Sequence, residues 1–535
     1  MQRRRFLQLS ASIAGITPLL NACNSSPSIS GKIVGASSTV GHLLRDGNIQ
    51  QQKPVSTIEK KVVIVGGGIS GLSAARWLQQ HGVTDFILLD LEKETGGNAA
   101  SGRNETSAFS WGAHYITIPN NNLKEYNAFL EECNIITGYN NQQLPIINEY
   151  YLCHDPQERL YINGNWQDGL IPNNGLKQED KEQLQRFLQL MHTLKSRKGK
   201  DRKDAFDIPI NNSSKDEEFT VLDNMTMKEW LLENRFTSEY LHEYVNYCTR
   251  DDFGTNYGVI SAWVGIHYFA ARKGVAANAE PHDVITWPSG NAWLAKELQK
   301  TSKQNIQTNA LVTNVHHTKD AVVITYYNTT TKQVEAIIAK QLILATPQFV
   351  NNKLLLNNEE RKKLVDTKLH YSPWMVANIH TQTLTERSGA PQSWDNVIFN
   401  SESLGYIKAN HQLLGLPNGK NNLTYYLPLT TESPSIERKK AYNKTHTEWV
   451  ATILNELKII HPNIEQAVQQ IDVILWGHAM AQPLPNLIHS NIRAQLQKSI
   501  DNKIHFAHTD LAGISIFEEA FYQGIQAAKK VIQQL

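Results

Sequence analysis

Cysteine is scarce in this chain, with four in 535 residues, at positions 23, 133, 153 and 248. So few, so widely spaced, exclude a disulfide scaffold or a cysteine metal cluster, and no metal site is expected. An excess of charge of one sign is also missing: 52 basic residues stand against 51 acidic ones, for a formal net charge of +1. A nucleic-acid surface needs clustered basic excess, so that class of partner is set aside. No apolar run reaches the roughly 18 residues of a membrane span, and no repeat period is visible. What remains is ordinary globular composition, 41% hydrophobic and 19% charged, long enough for two intimately joined domains.

The first residues are organised differently. Arg3-Arg4-Arg5-Phe6-Leu7 precedes a mildly apolar run ending Leu20-Asn21-Ala22-Cys23. A charged head, a short apolar middle and a small residue before a cut are the layout of a signal peptide. The arginines followed by Phe-Leu resemble a twin-arginine export signal, and the ending resembles a bacterial lipobox whose cysteine is acylated after cleavage. Residues 1–23 are therefore expected to export the protein to the bacterial periplasm or cell envelope and to leave a lipid anchor on Cys23. Residues 24–57 are rich in Ser, Gly, Asn and Gln without sustained periodicity, and are expected to be a flexible linker.

Lys60 to Val65 has the continuous apolar character of a buried parallel strand. Gly66, Gly68 and Gly71 then satisfy GxGxxG, and Ile69 to His81 has helical periodicity stopped by Gly82. The three glycines suit a tight turn, a close approach of backbone to pyrophosphate, and close packing of helix on strand, with the positive helix terminus facing the anion. A second strand, Asp85 to Leu89, ends at Asp90, placed to meet a ribose hydroxyl. Strand, glycines, helix, strand and terminal acid together predict a dinucleotide site.

Asp90 opens DLEKETGGNAASG, with Gly96 and Gly97 following the acid. That arrangement resembles the flavin-containing amine oxidoreductase superfamily, and further blocks extend the resemblance. Leu311-Val312 looks like the strand whose backbone meets the adenine, and Leu342 to Pro347 like a strand running into a turn near the cofactor. FSWGAHYITIP, 109–119, looks like the Gly-Ala segment beside the flavin ring. FAHTDLAGISIFEEAFYQG, 506–524, looks like the segment that closes the site. The resemblance implies FAD, held by Gly66, Gly68, Ser70, Gly71, Asp90, Leu91, Gly97, Asn98, Gly112, Ala113, Val312, Ala345, Asp510, Phe517 and Glu518. It implies an α/β fold: a Rossmann-like FAD-binding domain of residues 58–118, 285–350 and 470–535, joined to a mixed α+β substrate domain of residues 119–284 and 351–469.

The substrate side departs from the family pattern. Many members place a lysine by the flavin and flank the amine with aromatic rings. Here the lysine-equivalent is Asn378, an expected aromatic is Ile516, and no clear aromatic cage is legible. His114 is a candidate base or proton relay, with a structural histidine as the alternative. Trp476 is a candidate cavity wall and His478 a weaker candidate beside it. Arg250, Asp251 and Asp252 suit either a charged substrate or a structural network, the latter favoured. The charged insertion 194–219 reads as a solvated excursion. The expected activity is hydride transfer from a small-molecule substrate, with an amine as the candidate, to flavin, with oxygen or a membrane carrier as electron acceptor. A desaturase- or isomerase-type enzyme on an apolar substrate, and a non-catalytic envelope binding protein, are the alternatives.

Overall fold

A computed structural model describes residues 29–35, 37–356, 358–413, 415 and 419–535. The signal-peptide reading, with Cys23, lies outside the described residues. Two sheets organise the rest. The continuous apolar runs build the first: Ile306–Gln307, Phe86–Leu89, Ser56–Val65, Gln333–Leu344 and Ile504–Phe506 lie side by side in parallel. The hairpin Ala310–His317 and Val322–Asn328 extends it antiparallel to the first half of Gln333–Leu344. Val62, Val63 and Ile64 have no exposed surface, as expected of a parallel strand covered on both faces. The helix Ile69–Gln80 meets the closing helix Phe517–Gln534 backbone to backbone. A Cβ on Gly524 would stand 2.1 Å from the Ser70 carbonyl oxygen.

The second sheet has eight strands in the order Ile33–Val34, Val468–Ala481, Tyr371–Thr381, Asn421–Pro428, Tyr406–Lys408, Asp395–Ile398, Glu158–Ile162 and Asn165–Asp168. Its faces separate by strand alternation. Trp374 and Val376 join the core beneath helices Gln178–Ser196, Glu239–Phe253 and Ala262–Ala270. Met375 and Ala377 join the core around Trp449 of helix His446–Leu457.

Three expectations need redrawing. Residues 470–481, placed with the cofactor domain, belong to a central strand of the second sheet; its IDVIL run reads like any buried strand, and pairing partners decide which sheet takes it. Residues 29–35 and 37–57, placed in a flexible linker, carry a strand, a helix and the start of Ser56–Val65. The insertion 194–219 is solvated only in part, because Ala205, Phe206, Ile208 and Ile210 are buried in the helical core.

Candidate active site

The glycine loop sits where the central parallel strand turns into its helix. Gly71 must be glycine, since a Cβ there would lie 1.8 Å from the Gly66 carbonyl oxygen. Ala345 sits behind the loop, its N–H donating to Val65 O at 2.8 Å. Gly68 is the opposite case: a Cβ would meet nothing within 4 Å. It precedes a helix with no side-chain cap, so first-turn amides face open space. Gly97 packs against this loop, and the neighbouring Gly96 N–H donates to Gly67 O at 2.8 Å. An uncapped helix start fronted by free space, with a desolvated acid beside it, fits an FAD pyrophosphate and ribose.

That acid is Asp90. Its carboxylate accepts from Gly67 N at 2.5 Å and from Glu92 N at 2.7 Å. Burial pushes its pKa up to about 6, against the lowering effect of those two bonds. The strand carrying Val312 begins on the same stretch, Ala310 N donating to Asp90 O at 2.8 Å, so Asp90, Leu91 and Val312 converge at one end. At the other, Asp510 accepts from Gln348 N at 2.8 Å and Tyr371 Oη at 2.7 Å, with His508 Nδ1 3.0 Å away. Burial pushes its carboxyl up, but His508 and these donors hold it below the usual range.

Gly112 and Ala113 line a cavity, with Asn98, Phe517 and Glu518 on its border. Gly112 is held by Tyr426, whose hydroxyl donates to Gly112 O at 2.9 Å and is 2.7 Å from Ser110 Oγ. An aromatic enclosure does exist, contrary to the sequence reading. Trp374, Tyr426 and Trp476 line the cavity from three neighbouring strands, and His114 and Tyr115 line it from the Gly-Ala segment. The His114 and Tyr426 ring centroids are 4.6 Å apart. Trp476 is fixed by its Nε1–H donating to Trp111 O at 2.7 Å. Burial takes the His114 pKa down to about 4, so it is neutral at physiological pH.

The opposite wall is acidic. Asp251, Asp252 and Glu518 line the cavity with a single arginine, Arg272, which is ion-paired to Asp252. Asp251 receives one weak bond from Tyr115 Oη at 3.3 Å. Burial, reinforced by Asp252, raises its pKa to about 7. Asn291 Nδ2 donates to Tyr115 O at 2.9 Å, while its buried Oδ1, in the cavity wall, has no partner among the described residues. A buried acceptor left open calls for a donor from a ligand.

Two residues named for chemistry are placed otherwise. Asn378 is absent from the cavity wall; its Nδ2 donates to Ser110 O at 3.1 Å and its Oδ1 accepts from Thr424 Oγ1 at 3.0 Å. Both polar groups are thereby spent propping the loop before Gly112. His478 turns away and stacks on Phe349 at 4.4 Å. The cause is a register shift opposite Ser372–Trp374, which leaves Trp476, Ala479 and Met480 on the cavity and sends His478 elsewhere. The sequence reading missed Trp374 and Tyr426. Trp374 stands four residues before Asn378 on one strand, hence on the same face, a period-two signal that was available.

Residues 69–532 match the model of the flavin containing amine oxidoreductase family. The fold is similar to that of a putrescine oxidase bound to putrescine, at 14% identity, TM-score 0.64, over 89% of this chain and 100% of that one. It is similar to the cyclohexylamine oxidase from Brevibacterium oxydans IH-35A, at 16% identity, TM-score 0.62, over 89% and 99%. The CLA-producing fatty acid isomerase from P. acnes aligns at 13% identity, TM-score 0.60, over 87% and 97%.

Proposed function

The chain belongs to the flavin-containing amine oxidoreductase family and is an FAD-dependent oxidoreductase, and from that premise we propose that it oxidises a small cationic amine. The carrying observation is the acidic lining of the cavity beside Gly112 and Ala113: Asp251, Asp252 and Glu518, the first and last with carboxyls pushed up by burial, against Arg272 alone. Bound FAD supplies the hydride acceptor; the residues must hold the amine and free it of its proton. An ammonium group is held by Asp251, whose one side-chain hydrogen bond among the described residues is the weak one from Tyr115, and Asn291 Oδ1 accepts a second N–H. Asp251, with a pKa of about 7, is poised to take the proton whose loss leaves a neutral amine able to give up hydride. Neutral His114 adds no competing charge, and the tryptophan and tyrosine walls exclude water, which strengthens the electrostatic hold. The test is anaerobic bleaching of the flavin by a panel of amines and their uncharged analogues; bleaching confined to amines supports the reading.

One observation favours a second reading. Ile116, Trp374, Val376, Met480 and Ile516 give the same cavity a large apolar surface, which suits desaturation or isomerisation of an apolar substrate. The orphaned acceptor and the acidic wall have no role in that reading.

Export and anchoring are proposed from Arg3-Arg4-Arg5 and from the Leu20–Cys23 ending. Ile29, the first described residue, stands six positions after Cys23, so an acylated Cys23 would hold the enzyme within about 20 Å of the membrane. Such closeness favours a membrane electron carrier over oxygen; fast oxygen consumption during turnover would overturn this.

A further inference from the structure

The segment before the glycine loop packs on Leu91 and bonds to Glu92 and Thr313, the neighbours of Asp90 and Val312 at the adenine–ribose end. Ile33–Val34 first pairs in parallel with Val473–Ile474 on the edge of the substrate-side sheet, and Lys32 N donates to Asp472 Oδ1 at 3.0 Å. The chain then crosses to the cofactor half. Ser37 donates to both oxygens of the Glu92 carboxylate, through its N–H at 2.7 Å and its hydroxyl at 2.8 Å. Helix Ser38–Asp46 follows, with Gly41 facing the Leu91 side chain. Leu44 is buried in the same core as Val312, with Val40 and Leu91 packed against it. Gln50 Nε2 then donates to Thr313 O at 3.0 Å, next to Val312. Only at Ser56 does the chain enter the sheet.

We propose that residues 37–51 form the outer wall of the adenine–ribose half of the FAD site, fastened at Glu92 and Thr313, and that this strap slows the escape of FAD. The fastening at Glu92 also steadies Asp90, since Glu92 N donates to the Asp90 carboxylate. A cofactor walled in by a separately anchored segment leaves through the population in which that segment has opened, so its release rate follows the strength of the fastenings. The Ser37 hydroxyl supplies one bond to a carboxylate, the stronger kind, beside a backbone N–H bond that Ser37→Ala leaves in place, and Gln50 supplies two bonds to carbonyls, Thr313 O at 3.0 Å and Lys353 O at 3.4 Å. The strap is also short and follows Ile33–Val34, which pairs with the substrate-side sheet, so cofactor retention is linked to the two halves staying together.

The test uses the FAD-loaded full chain as Ser37→Ala and, separately, Gln50→Ala. FAD release is followed by recovery of flavin fluorescence after dilution, and the flavin-free proteins are melted in parallel by circular dichroism. Ser37→Ala should release FAD about tenfold faster, and Gln50→Ala a few-fold faster, while flavin-free melting stays close to that of the parent. Unchanged release overturns the proposal. Slower release also overturns it, showing that the segment competes for the adenine's place. Faster release matched by a large fall in flavin-free melting overturns it as well, because Ser37 would then be a general stabiliser.

Discussion

The Tyr115 hydroxyl donates to the Asp251 carboxylate at 3.3 Å across the wall of the cavity. It makes the one side-chain hydrogen bond to this acid among the described residues; Asp252 and Arg272 also face it, with Glu158 contributing further negative charge. Burial dominates and sets the Asp251 pKa at about 7. The carboxylate, the form that holds an ammonium ion and accepts its proton, therefore appears as pH rises through about 7. The kcat/KM for an amine should rise across that range, and Asp251→Asn should remove the limb and lower kcat/KM about a hundredfold. Stability runs the other way. Because the folded value lies above the ordinary 3.8, the stabilising contribution is complete below 3.8 and lost as pH climbs to about 7. Asp251→Asn should thus melt higher than the parent at pH 8.

The two glycines of the loop should fail differently when changed to alanine. At Gly68 a Cβ meets no protein atom within 4 Å, so Gly68→Ala should fold with unchanged melting but be isolated without flavin. At Gly71 a Cβ would lie 1.8 Å from the Gly66 carbonyl oxygen, so Gly71→Ala should not fold. Melting and flavin absorbance of the purified proteins separate the two.

Asn378 should behave as a prop. Losing its bonds to Ser110 O and Thr424 Oγ1 should cost Asn378→Ala about 1–2 kcal/mol of stability. Flavin reduction by a saturating amine should slow only a few-fold. A loss of several orders of magnitude in the reduction rate at unchanged melting would assign Asn378 a direct chemical role.

Asn291, in the cavity wall, carries a buried acceptor with no partner among the described residues. Asn291→Leu should raise KM for an amine about tenfold, the cost of one hydrogen bond to a cationic donor, with a smaller effect on kcat. An uncharged, non-donating substrate should be indifferent to the change.

Much of the cofactor half is legible because its signals are local. A β-branched run, spaced glycines and a terminal acid at Asp90 lie within one stretch of chain, and each has a backbone reason to be there. The substrate half is written across the chain instead. Trp374, Tyr426 and Trp476 meet only because three strands pair in one register, and a single register shift sends His478 out of the cavity. Asp251 and Asp252, adjacent acids beside Arg250, read as a structural network; the arginine that pairs with Asp252 is Arg272, on a separate helix end. The segment 29–57 is polar enough to pass for a linker, since its apolar helix face is short, Val40 and Leu44, and its fastenings, such as Ser37 to Glu92, join residues far apart in the chain.

The measurement that bears most directly on the central claim is an anaerobic titration of the FAD-loaded protein, with matched pairs of amines and isosteric alcohols, followed by flavin absorbance. Amines should bleach the flavin, faster above pH 7 than below it, while the alcohols do not, and Asp251→Asn should lose the pH dependence. A flavin that no amine bleaches, in a protein that nonetheless converts an uncharged apolar substrate, would contradict that claim.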